Sequence, residues 1–149
     1  MNKMDELANK LGKKVEDERQ SKLSLLKGRF DFSEKVESLL KEMRGWLAPV
    51  LDAGSVSMGK EKLQDAMETE YEVPMLTAKL KDGTAVQIRP VGWNIIGSKG
   101  RVDISVGEKN GVLVLKDDGW QILDVGGVKE ELVLLNSDSL ADLIGRLVG

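Results

Sequence analysis

The chain has 149 residues, 41% apolar and 32% charged, with a formal net charge of −3; that is one domain's worth of core, too evenly charged to point to a charged partner. It contains no cysteine and no histidine, which excludes disulfides, thiolate nucleophiles and zinc–sulfur sites and removes the commonest general base and transition-metal ligand. Residues 1–53 carry 11 basic and 10 acidic side chains and residues 54–149 carry 11 and 15, so the second part is mildly acidic and poorly suited to phosphate backbones.

Charges interrupt Met1 to Val15 every few residues. No apolar run approaches the roughly 20 residues needed to span a bilayer. A soluble, cytoplasmic chain with no membrane partner is expected.

Met4, Leu7, Leu11 and Val15 recur at helical spacing and share one face. The stripe then fades: Glu16 to Lys22 is wholly polar, and apolar residues resume at Leu23, Leu25, Leu26 and Phe30. A helix so patterned has little core to pack on through its middle. Gly28 weakens it, and the Asp31-x-x-Glu34 pattern reads as the capping box of a new helix. That second helix carries Val36, Leu39, Leu40, Met43, Leu47 and Val50 in one stripe, with Trp46 near its edge and Pro49 to end it. Gly59 to Glu70 reads as a short helix around Leu63 and Met67.

From Val73 onward the pattern changes to short strands. Met75–Lys81, Ala85–Arg89 and Arg101–Val106 alternate apolar with polar, which predicts one buried and one wet face. Val112–Leu115 and Leu132–Leu135 are apolar throughout and predict central strands covered on both faces, with Trp120–Val125 between them. Asp82-Gly83, Asn110-Gly111 and Asp118-Gly119 predict tight hairpins. Ser137 or Ser139 is placed to cap a closing helix bearing Leu140, Leu143, Ile144 and Leu147 on one face.

The expected fold is therefore α+β: a long N-terminal helical arm (1–54), then an antiparallel meander of five to seven strands with a short C-terminal helix packed on the sheet (55–149).

Four strings invite a chemical reading. Gly92 to Gly100 (GWNIIGSKG) approaches the phosphate-loop pattern, but Ser98 precedes Lys99, the interior is bulky and a strand follows where a helix is required. Ser57-Met58-Gly59-Lys60 fits Ser-x-x-Lys without its partner motifs. The adjacent carboxylates Asp117-Asp118 and Glu130-Glu131 point opposite ways along a strand and read as solubilising turn residues. Arg89 and Arg101 are candidate anion contacts on the wet sheet face, against the plainer reading that Arg89 pairs with Asp103 across strands.

No cofactor or metal is expected. The leading functional expectation is a non-enzymatic protein-interaction module. It would form a homodimer or higher oligomer through Leu7, Leu11, Val15, Leu26, Phe30, Val36, Leu40, Met43 and Leu47, and could serve a protein client in chaperone-like or immunity-like fashion. Two alternatives stand behind it. Residues 10–29 hold seven basic and three acidic side chains, as a nucleic-acid-binding helix would, but with no aromatic or amide-rich reading surface. A small enzyme would need Arg89, Arg101 and Asp103 to meet in a pocket.

Overall fold

The computed structural model describes residues 2–64, 70–93, 98–124 and 131–149. Met67, Asn94, Ile95, Ile96, Val125 and Glu130 of the sequence reading lie outside them.

One helix, α1 (Lys3–Leu47), runs through most of the predicted arm, in place of two. The Asn2 side chain caps it by accepting from the Asp5 amide at 2.8 Å, and Asp5 and Glu6 face the positive end of its dipole. At 1.5 Å per residue its 45 residues extend about 68 Å. No break occurs at Gly28, and Asp31 is an interior helical residue, not a cap. The helix stops two residues before Pro49, where the Val50 and Leu51 amides both return to the Leu47 carbonyl.

Among the described residues seven strands follow in strict meander order: β1 (Ser57–Gln64), β2 (Glu70–Lys79), β3 (Ala85–Trp93), β4 (Gly100–Val106), β5 (Lys109–Lys116), β6 (Gly119–Asp124) and β7 (Glu131–Leu134). Every neighbouring pair is antiparallel and the sheet is open. The closing helix, α2, spans Ser137–Val148.

The predicted short helix around Leu63 is strand β1 instead. Local spacing misleads there because Leu63 pairs with Tyr71 across a hairpin and both side chains reach the core from one strand face.

The core lies between the sheet and the second half of α1. Phe32, Val36, Leu39, Leu40, Met43 and Leu47 meet Leu76, Ala78, Val86, Ile88, Val102, Ile104 and Leu113, all buried. The buried set on β3, β4 and β5 alternates strictly with wetter residues, as a sheet covered on one face requires. Leu140, Leu143 and Ile144 of α2 complete the core.

Two prolines shape one corner of the sheet. The β2–β3 ladder runs only from Lys79↔Ala85 to Leu76↔Ile88. Continued by one more pair of positions on the same face, it would set Pro74 against Pro90, neither of which has an N–H to give. The ladder stops there, and β3 slips register against β4 between Pro90 and Gly92. Upstream of Pro74 the buried side changes, so that Val73 and Tyr71 join the core in place of the even-numbered residues.

The turns correct the sequence reading in two places, since Lys116 pairs with Gly119 and makes Asp117-Asp118 the β5–β6 turn, and Asn110-Gly111 is no turn. Asp82-Gly83 turns with Gly83 at φ 89°, and Gly119 has φ 116° just after Asp117-Asp118. But β4 and β5 are joined at Gly107-Glu108, with Gly107 at φ 61°. Asn110-Gly111 lies inside β5. Gly111 is there for space: a Cβ would come within 3.1 Å of the Leu143 side chain of α2.

β5 is an inner strand as expected, although Val112 and Val114 are half-buried on the helix-free face. The other apolar run, β7, is the sheet's edge, and all four of its residues are exposed. The cap of α2 is Asn136, not a serine; Ser139 serves as the reciprocal partner in the capping box, and both bonds are 2.8 Å.

Candidate interaction surface

Every residue from Asn2 to Ser24 is exposed. The first half of α1 thus runs free of the sheet for about 34 Å, at 1.5 Å per residue. Its apolar stripe is on the surface: Met4 is 71% exposed, Leu7 48%, Leu11 53% and Val15 65%.

A helix advances by about 100° per residue. On that rotation Met4, Leu7, Leu11 and Val15 lie close to the line of Val36, Met43 and Leu47. Leu23, Leu26 and Phe30 are turned roughly a third of a revolution away from it. This offset explains why Phe30 is 63% exposed while Phe32, two residues on, is 2% exposed.

The candidate interface residues therefore separate into two sets. Leu7, Leu11, Val15, Leu26 and Phe30 are solvent-facing. Val36, Leu40, Met43 and Leu47 are buried against the chain's own sheet and present no surface to a partner. Helical periodicity identified an apolar face correctly in both stretches, but it carries no information on whether a sheet lies against it.

The basic segment is partly neutralised within the helix. Arg19 lies 3.7 Å from Glu16, which also accepts from Gln20 at 3.0 Å. Arg29 stands over the Tyr71 ring, 5.6 Å from its centroid, where α1 first meets the β1–β2 hairpin.

On the helix-free face of the sheet, Arg89 and Asp103 are cross-strand partners in register, yet they do not pair. Asp103 instead receives a two-pronged contact from Arg101, its neighbour two residues along β4, with Nε to Oδ1 at 2.8 Å and Nη2 to Oδ2 at 3.2 Å. That hydrogen bond pushes the Arg101 pKa further up. Arg89 reaches Glu61 on β1 at 3.8 Å. Each arginine thus has a carboxylate of its own.

Lys99, from the phosphate-loop-like string, contacts Asp117 at 2.7 Å, and Gly100 opens β4, so a strand and not a helix N-terminus follows. Ser57 to Lys60 lie along β1 with alternating directions.

Two other features could receive a ligand. A cleft of about 550 Å³ lies between the end of α1 and α2, lined by Trp46, Val50, Leu80, Leu140, Ile144 and Val148. Its lining is mainly apolar, with Lys81, Asp82 and Ser137 as its polar side chains. Among the described residues no set of three carboxylates is placed to hold a metal ion, and no helix is long and apolar enough to cross a membrane.

The helix-free face also has an apolar part that sequence reading missed. Register places Val112 beside Leu123 and Leu123 beside Leu132, with Val114, Gln121 and Leu134 in the adjacent row. The signal is present as the unbroken apolar runs of β5 and β7, which by sequence alone read as strands buried on both faces.

No family model, curated protein or solved structure matches the chain.

Proposed function

We propose that this protein is a non-enzymatic protein-interaction module that self-associates through the free half of α1, with Leu7, Leu11 and Val15 at the contact and Met4 beside them. One observation carries the reading: a helix of more than twenty residues is exposed on all sides yet bears an apolar stripe of four large side chains. Isolated helices of this length are marginal in water, because most helical stability in proteins comes from packing an amphipathic face. A second copy of the same stripe supplies that packing at spacings of three and four residues, which suit side-by-side helices. Lys10 and Lys14 lie along one side of the stripe, and their aliphatic stems can extend the contact while the charges stay in water.

The test is the mass of the full chain in solution by light scattering and sedimentation over about 1–100 µM, the range where contacts of −6 to −8 kcal/mol act. Wild type should show concentration-dependent association, and the double substitution Leu7→Lys with Leu11→Lys should shift the midpoint at least ten-fold upward. A monomer for both chains throughout that range would sink the proposal.

A further inference from the structure

The sheet has two open edges, and they differ in kind. The β1 edge carries Lys60, Glu61 and Lys62 in succession, the charged blunting that discourages strands from pairing edge to edge. The β7 edge reads Glu131-Leu132-Val133-Leu134, with Leu132 43% exposed, Val133 39% and Leu134 54%. It carries no charge along three consecutive residues and no proline.

The hydrogen-bond alternation shows which groups this edge offers. The Leu135 amide donates to the Trp120 carbonyl at 3.0 Å. Residues 131, 133 and 135 therefore direct their backbone groups toward β6, and 132 and 134 direct theirs outward. The outward assignment has independent support, since the Leu134 carbonyl accepts from the Ser139 hydroxyl at 2.8 Å. A carbonyl has a second lone pair, so this bond leaves acceptor capacity.

We propose that β7 pairs antiparallel with β7 of a second copy, joining two sheets into one continuous sheet. The symmetry axis passes beside Val133. This register sets Leu132 opposite Leu134 of the other copy twice over, and it uses both outward residues of the described strand in four backbone hydrogen bonds. It also sets Glu131 opposite Leu135 of the other copy, away from the second Glu131. Shifting the axis to Glu131 would put two glutamates face to face, which facing strands penalise. Shifting it to Leu132 or Leu134 pairs only one outward leucine within the strand. The row of Val112, Leu123 and Leu132 then continues across the junction into the Leu134, Gln121 and Val114 row of the other copy. This contact is separate from the α1 contact, and four residues a side fall well short of the roughly 1,200 Å² of a stable interface. Its strength comes from acting together with a second contact, through effective concentration. Two different two-fold contacts on one chain close into a dimer only if they share an axis; otherwise they link copies into longer assemblies.

The chain has no cysteine, so single-cysteine variants report the register directly. In the proposed pairing Val133 faces its own copy at a non-hydrogen-bonded position, where Cα atoms are about 4.5 Å apart, within disulfide reach. Leu132 and Leu134 each face the other, and like positions lie beyond about 7 Å, out of reach. Full-length Val133→Cys in a glutathione redox buffer should form a covalent dimer several-fold faster than Leu132→Cys, Leu134→Cys or Met58→Cys on the opposite edge. Equal rates at Val133 and Met58, or a faster rate at Leu132 or Leu134, overturn the proposal. Leu134→Lys, at the most exposed of the three apolar positions of the strand, is the second reading. In the otherwise wild-type chain, where the α1 contact supplies the effective concentration, it should shift the association midpoint at least ten-fold upward, and no change there also overturns the proposal.

Discussion

The Trp93 indole, at the end of β3, packs directly against Gly28 in the middle of α1: a Cβ on Gly28 would fall within 3.0 Å of three ring carbons. Read alone, Gly28 marks a weak point where a helix ends. In the fold it is a point of close approach between helix and sheet, and the helix passes through without interruption. Glycine at an interior helical position costs about 1 kcal/mol relative to alanine, and here the approach of a tryptophan ring offsets it.

Glycine-to-alanine substitutions in α1 should therefore change sign with position. Gly45 has nothing within 4 Å of its would-be Cβ, so Gly45→Ala should stabilise by about 1 kcal/mol and raise the melting midpoint by about 2–4 °C. Gly28→Ala gains the same helix propensity but must displace the indole, and should lose about 1–3 kcal/mol net. Thermal unfolding of the two variants side by side checks both signs.

Leucines of one helix should divide into core and surface on truncation. Leu40 is 1% exposed and Leu26 is 56% exposed. Leu40→Ala should cost about 2–5 kcal/mol through lost burial and a residual cavity. Leu26→Ala should lie within about 0.5 kcal/mol of wild type when denaturant unfolding is measured at a concentration too low for association.

Two turn carboxylates should titrate low. The hydrogen bond and then the charge of Lys99 hold the Asp117 pKa below its ordinary value, and the Thr84 amide, with its side chain second, does the same for Asp82. A folded-state value below the unfolded value of about 3.9 means that the unfolded chain binds the proton more tightly. The stabilisation is present above that unfolded value and is lost as pH falls through the folded one. Carbon-detected carboxyl titrations should give midpoints below about 3.9 at both residues. Lys99→Ala should raise that of Asp117 toward the ordinary value and leave Asp82 where it is.

Much of the fold was legible in the residues. Alternation in β3 and β4, the Asp82-Gly83 turn and the stripe of α2 all act within a few residues, and the structure keeps them, while the turn read at Asp118-Gly119 falls one residue earlier, at Asp117-Asp118. The misreadings share one cause. Leu63 looked helical because its packing partner, Tyr71, lies across a hairpin. Asn110-Gly111 looked like a turn because the space that Gly111 leaves is filled by Leu143, thirty-two residues on. The Arg89–Asp103 pairing had the right register and the wrong ion pair: Arg101 shares a strand face with Asp103 and reaches it with both prongs, while Arg89 reaches Glu61.

The candidate surface shows the same division. Sequence alone determined where apolar side chains recur and with what period, because that follows from the geometry of a single helix or strand. It could not determine which apolar stripes are covered. Val15 and Val36 belong to stripes of similar make-up on nearly the same side of α1, and one is 65% exposed while the other is fully buried. The difference is where the sheet stops. That limit is set by strands paired through residues 57–134 and by Trp93 meeting Gly28, contacts between residues far apart in the chain. Burial is a property of such contacts, so the tertiary structure alone decided that, among the described residues, the first half of α1 and the β7 edge lie without cover.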